Sequence, residues 1–155
     1  MKDANADIGI MAFVLQFAPQ DFVNIPKHGT IQYHPSLLPK FRGPSSINWP
    51  IIKGETETGL TLGTVYFDRL FPMGVQAMVE AADLVVAGKH KEVVQDESQA
   101  SYEGWCRSGE AKIDWAKPVD HVYNLIRGCN PAPGAWTTLN GKKLQIFDAK
   151  KTLFR

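Results

Sequence analysis

The sequence predicts an α/β fold, a mostly parallel sheet with flanking helices followed by the start of a small β unit. Three observations carry this. Two apolar stretches, 7–14 and 29–34, flank a short helix-compatible segment. Strand, helix, strand is a crossover unit, so the two strands run parallel. Between residues 64 and 87 apolar side chains recur at steps of three and four, the period of a helix. Near the end, Asn140-Gly141 separates two strand-like runs, the signal of a tight hairpin.

Composition narrows the class. The chain has 155 residues, of which 44% are hydrophobic and 21% charged. That is the balance of a globular protein, not of a disordered one. A formal net charge of +1 gives no support to wholesale nucleic-acid binding. Cys106 and Cys129 show neither metal-ligand spacing nor a disulfide framework, and a reducing compartment is the default for such a pair. No apolar run is long enough to span a membrane. Met1-Lys2-Asp3-Ala4-Asn5 carries no signal-peptide pattern, so a cytoplasmic location is expected.

In chain order, the run Asp7 to Val14 is apolar almost throughout and reads as a strand buried on both faces. Pro19 to Val23 forms a short helix that stops before Pro26, and His28-Gly29 turns into the second strand. Thr30, Ile31 and Tyr33 favour extended backbone. Pro35 ends that strand by removing a donor and biases His34 towards extended geometry. His34 therefore belongs at the carboxyl end of a strand, the edge where open α/β sheets place ligands. A lone histidine there also reads as a core residue satisfied by a neighbour. The loop 12–17 should leave the sheet on the same edge.

Ser45 or Ser46 is placed to cap a helix through Ile47, Trp49 and Ile51, closed by Gly54. Gly59 to Leu62 begins another strand. The helix from Thr64 to Ala87 carries a stripe of Phe71, Val75, Met78, Val79, Ala82, Val85 and Val86, expected as core. Pro72 should kink it and Gly88 end it. Residues 89–109 are polar and weakly patterned, a linker or an irregular wrap. Ala111 to Trp115 suggests a short strand. Pro118 opens a helix with Val119, Val122, Tyr123 and Ile126 on its apolar face, closed by Gly128. The hairpin then runs from Ala135 to Phe147.

One stretch is more specific than any periodicity. His34-Pro35-Ser36-Leu37-Leu38-Pro39, with Arg42-Gly43 three residues on, resembles the signature of the folate-dependent formyltransferase family. With Tyr33, and with Ile126-Arg127-Gly128-Cys129-Asn130-Pro131 and Pro133-Gly134-Ala135-Trp136 downstream, it is most similar to the hydrolase-domain branch of 10-formyltetrahydrofolate dehydrogenase. The resemblance implies a Rossmann-like fold, with a partial catalytic domain over 1–109 and the beginning of the C-terminal domain over 110–155. It implies 10-formyltetrahydrofolate as formyl donor, no metal, and transfer or hydrolysis of the formyl group.

Residue by residue, the resemblance makes His34 catalytic and sets Gln32 where the family has an asparagine. Two residues apart, both lie on one strand face. Met11, Ala12, Phe13, Val14, Leu15 and Phe17 match the loop that wraps the pterin ring, although Met11 and Phe13 read equally as core. Two departures stand out. The family's aspartate, on a strand-loop-strand segment, has no match, because residues 60–62 run almost at once into the next helix. Met1 also falls after the family's opening strands, which hold the acceptor. The chain thus looks truncated, with impaired activity expected. A non-catalytic binding module is the alternative, and self-association or a partner chain is expected to cover the sheet.

Overall fold

The computed structural model describes residues 2–12, 14, 16–56 and 65–152. The strand expected over 59–62 and the gap beside it lie outside those residues. Strand β1 (Gly9–Met11), helix α1 (Gln20–Val23) and strand β2 (Thr30–Gln32) form the expected crossover unit. The strands pair in parallel, with Gly9 opposite Thr30, Ile10 opposite Ile31 and Met11 opposite Gln32. Gly9 is required there, since a Cβ on it would stand 2.3 Å from Thr30 Oγ1. That hydroxyl in turn donates to the Val23 carbonyl at 2.7 Å, tying α1 to the sheet.

Strand β1 departs from expectation in its burial. Ile10 is 54% exposed and Val14 38%, so the run is not covered on both faces. The described sheet has only these two strands, too few to sandwich one between neighbours.

Helix α2 (Asn48–Lys53) ends at Gly54, whose φ of +81° is the left-handed closure that glycine permits. The expected serine cap is absent. Ile47 takes the cap position without a side-chain bond, and the Ser45 hydroxyl instead accepts the Cys106 N–H at 2.9 Å. A distant backbone donor has outcompeted the local one.

Helix α3 (Phe71–Val86) is preceded by a wider π-helical stretch, Val65–Leu70. Pro72, expected to kink the helix, sits at the start of its α-helical part. With no N–H to give and a ring that crowds the preceding turn, proline fits where the register changes. The stripe expected as core is mostly uncovered. Val85 is buried, whereas Phe71, Val75, Val79 and Val86 are exposed. The helix meets the narrow sheet near Tyr33. That ring leaves no space for a side chain at Gly74, where a Cβ would stand 2.8 Å from Tyr33 Cζ, and the Tyr33 hydroxyl donates to the Leu70 carbonyl at 3.1 Å.

The best-buried cluster lies elsewhere. Ile52 of α2 packs with Ala111, Ile113, Ala135, and with Leu125 and Ile126 of helix α4 (Val119–Gly128) and Cys129 just beyond it. Gly128 was expected to close α4. Instead it is the last helical residue, and its role is contact, because a Cβ there would press to 2.5 Å from Ile52 Cγ1. Strands β3 (Ala135–Leu139) and β4 (Lys142–Ile146) pair antiparallel around Asn140 and Gly141, both at positive φ as a type I′ turn demands. The strand expected over 111–115 is reduced to one parallel bridge, Lys112 to Trp136. Among the described residues no helix is long and apolar enough to cross a membrane.

Candidate functional site

Parallel pairing sends the chain out of β1 and β2 at the same edge. Met11 and Gln32 are the last paired residues, and the Tyr33 N–H still donates to the Met11 carbonyl at 3.2 Å. His34 follows immediately. The loop 12–17 and the signature loop 34–43 therefore leave from adjacent strand ends.

The signature loop is built from its own backbone. Ser36 N–H donates to the His34 carbonyl at 2.9 Å, Leu38 N–H to Ser36 at 3.1 Å, and Lys40 N–H to Leu37 at 3.1 Å. Ser36 Oγ reaches the Lys40 carbonyl at 2.8 Å. Pro35 is half-buried and Pro39 buried, while Leu37 and Leu38 are exposed. The loop ends at Phe41, a buried residue at φ +58°. Left-handed geometry costs a non-glycine residue about 1–2 kcal/mol. Burying an aromatic ring contributes more than that, so the ring holds the strained backbone in place.

That backbone is aimed at the histidine. His34 Nε2 lies 2.8 Å from the Phe41 carbonyl oxygen. A carbonyl only accepts, so Nε2 carries the hydrogen and Nδ1 carries the lone pair in the neutral ring. Any proton His34 gives or takes in chemistry passes through Nδ1. Gln32 is exposed at the end of β2, with an amide able to donate.

Residues 95–106 cross this loop as a strap. Arg42 grips Glu97 with two bonds of 2.8 and 2.6 Å and reaches Gln95 Oε1 at 2.8 Å. The Arg42 guanidinium holds the Glu97 carboxyl below the usual carboxylate range. The Arg42 N–H donates to the Ser101 carbonyl at 2.9 Å, the Ser101 N–H to Pro39 at 3.2 Å, and the Phe41 N–H to Ser101 Oγ at 2.9 Å. Gly43 lies so close to the strap that a Cβ would stand 1.7 Å from the Glu103 carbonyl oxygen. Lys53 pairs with Glu103, and Trp49 Nε1 donates to the Gly104 carbonyl at 2.8 Å. The second half of the signature, Pro39 to Gly43, is thus occupied in holding the strap.

On the other side of the edge, Met11 is half-buried, Ala12 and Val14 are exposed, and Phe17 is 93% exposed. Phe13 and Leu15 lie outside the described residues. An open groove of about 410 Å³ sits apart from this edge, lined by α4, β4 and the segment after it, including Trp115, Tyr123 and Ile146. It shares no residue with either loop, and the chemistry-bearing side chains are not in it. Among the described residues no group of three His, Cys, Asp or Glu side chains could hold a metal ion. Reading the sequence missed Phe41, Glu97, Ser101 and Gly74. Nothing local marks Glu97, Ser101 and Gly74, because each acts on a residue far along the chain, and Phe41 acts on His34 through a backbone carbonyl that no side-chain pattern records.

Comparison with known proteins gives the following. Residues 1–100 match the family described as formyl transferase, and residues 107–153 match its C-terminal domain. The chain is 35% identical over 172 residues to mitochondrial 10-formyltetrahydrofolate dehydrogenase of Mus musculus, covering 94% of this chain and 19% of that protein. It is 34% identical over 166 residues to methionyl-tRNA formyltransferase of Geotalea uraniireducens, covering 91% of this chain and 53% of that one. Among solved structures, HypX from Aquifex aeolicus in complex with tetrahydrofolic acid superposes with a TM-score of 0.71 at 20% identity, over 92% of this chain and 29% of that one. The chain therefore spans about a fifth of the dehydrogenase and about half of the methionyl-tRNA formyltransferase.

Proposed function

The chain belongs to the formyl transferase family, and from that premise we propose that it binds 10-formyltetrahydrofolate and moves its formyl group to an acceptor or to water. One observation carries the reading. Parallel pairing of β1 and β2 brings an apolar loop and a histidine with a fixed tautomer to one sheet edge. Mitochondrial 10-formyltetrahydrofolate dehydrogenase and the tetrahydrofolic acid complex of HypX point to the same ligand.

The residues present fit such a ligand. Val14 and Phe17 offer apolar surface to a flat heterocycle, and Met11 floors the strand end. The folate supplies a carbonyl carbon open to attack. His34, protonated at Nδ1, donates to an oxygen that gains negative charge, and in the neutral form it accepts a proton there. Gln32 donates its amide beside it. Its side chain is one methylene longer than the family's asparagine, which shifts that donor outward.

Activity should be low. The 172 residues of the dehydrogenase match exceed the length of this chain, so the relative carries internal residues with no counterpart here. We infer that the family's aspartate belongs to such a segment. Among the described residues the partner of the His34 ring is the Phe41 carbonyl and not a carboxylate that could order an attacking water, so slow hydrolysis and slower transfer to an amine are expected. We place the protein in the cytoplasm, and we propose that a second chain covers its open apolar faces.

Calorimetric titration with 5-formyltetrahydrofolate tests binding, with heat and a thermal shift expected below millimolar ligand. No signal at millimolar ligand would remove the folate reading. His34→Ala should abolish residual 10-formyltetrahydrofolate hydrolysis while costing about 1 kcal/mol of stability, the worth of its bond to Phe41. Binding without any His34-dependent turnover would favour the non-catalytic binding module.

A further inference from the structure

We propose that Cys106 and Cys129 are a thiol–disulfide switch, in which a peroxide oxidises Cys106 and Cys129 then closes a disulfide that fastens the strap to helix α4. The two cysteines lie on different elements. Cys106 ends the strap, and Cys129 is the residue directly after α4. Their sulfurs lie 3.9 Å apart across 23 residues of sequence, and both are free thiols. A bonded pair stands at about 2 Å. The approach required is shared by two side chains, one of them outside any helix or strand.

The pair is asymmetric in the way such chemistry needs. Cys129 is 0% exposed, whereas Cys106 is partly open, so a small oxidant meets Cys106 first. Either thiol can donate across the contact, and the hydrogen bond with Cys129 lowers the pKa of the Cys106 thiol against the opposing effect of burial. The same bond and burial hold Cys129 raised, as a thiol in reserve.

The step balances with hydrogen peroxide as oxidant. Cys106 thiolate attacks one peroxide oxygen, the S–O bond forms, the O–O bond breaks, and hydroxide leaves. Sulfur is oxidised and oxygen reduced, giving a sulfenic acid. Cys129 sulfur then attacks Cys106 sulfur, the S–S bond forms, and the S–O bond breaks. The departing hydroxyl leaves as water with the Cys129 proton, and the first hydroxide takes up the proton that Cys106 released. Two thiols and one peroxide give one disulfide and two waters.

Cys106 donates its backbone N–H to Ser45 Oγ and packs against the buried cluster, while the rest of the strap holds Phe41 and Arg42 of the signature loop and Trp49 and Lys53 of α2. Locking Cys106 to α4 anchors that whole crossing to the best-buried cluster.

The purified full chain is treated with one equivalent of hydrogen peroxide and digested with trypsin without reductant. The expected product is a linked pair of peptides, 92–107 and 128–142, in a monomer that has lost two hydrogens. The melting temperature should rise by about 5–10 °C and return on reduction. Cys106→Ser, at the more exposed position, should abolish both. Dimedone-trapped sulfenic acid at Cys106 without linked peptides, a crosslink between chains, or two unreacted thiols would each overturn the proposal.

Discussion

Gly43 shows how a single residue can couple a signature motif to a distant segment. It follows Arg42, which grips the strap, and its missing side chain lets the Glu103 backbone lie against it. Its φ lies outside the left-handed region, so contact and not conformation explains it. Gly43→Ala should therefore lift the strap and cost at least about 2 kcal/mol, as overpacking against backbone does. Gly104 is in the same strap with nothing within 4 Å of its Cβ position. Gly104→Ala should stay within about 0.5 kcal/mol of the parent. Urea unfolding of the two variants checks the pair, and equal losses would mean that the contact at Gly43 is not what matters.

At the scale of elements, helix α2 carries two loads. Its Ile52 face joins the buried cluster, and its Trp49 and Lys53 side chains take the strap. Gly128 sets its distance from α4, with Asn48 Nδ2 donating to the Gly128 carbonyl at 2.8 Å. Gly128→Ala should wedge the helices apart and cost about 1–3 kcal/mol, measured as a lower urea midpoint with an unchanged slope. The strap carries a pH signature as well. Glu97 titrates below its unfolded range because Arg42 binds its charged form. A depressed carboxyl stabilises above the unfolded value and loses that contribution as pH falls through the folded one. The parent should therefore melt above Glu97→Gln near neutrality, and the two melting curves should converge below about pH 4. The gap should also be small in high salt, since Glu97 is 70% exposed.

Over the whole molecule, apolar surface is unevenly covered. The cluster around Ile52 and Ile126 is closed, whereas Phe67 (68% exposed), Met73 (63%) and Val79 (59%) line an open helical stretch, and Ile10 of the sheet is exposed as well. Parallel strands are normally covered on both faces, and each large apolar side chain left in water forgoes about 1.5–3 kcal/mol. Against a total stability of about 5–15 kcal/mol this is a large deficit. Self-association at micromolar concentration is the expected outcome, with a melting temperature that rises with concentration. Sedimentation velocity showing one monomeric species, with a concentration-independent melt, would mean that these faces are stable in water as they stand.

Local chemistry determined much of this protein from the sequence alone. Gly54, Gly88 and the Asn140-Gly141 pair take the positive φ values their turns call for, and a short crossover forces β1 and β2 into parallel pairing. Those outcomes depend on a few adjacent residues, so they are written where they act. The signature stretch likewise announced the family before any geometry was known. Tertiary structure alone decided which nitrogen of His34 is left for chemistry, because the deciding carbonyl belongs to a left-handed phenylalanine that no pattern predicts. It alone turned a patternless polar segment into a strap, through bonds such as Arg42 to Glu97 that span 55 residues. It alone brought two cysteines without a motif into contact, and left one face of an apolar helix uncovered. Periodicity records that a helix has an apolar side. Whether anything packs against that side depends on how wide the neighbouring sheet is, and among the described residues it is two strands wide.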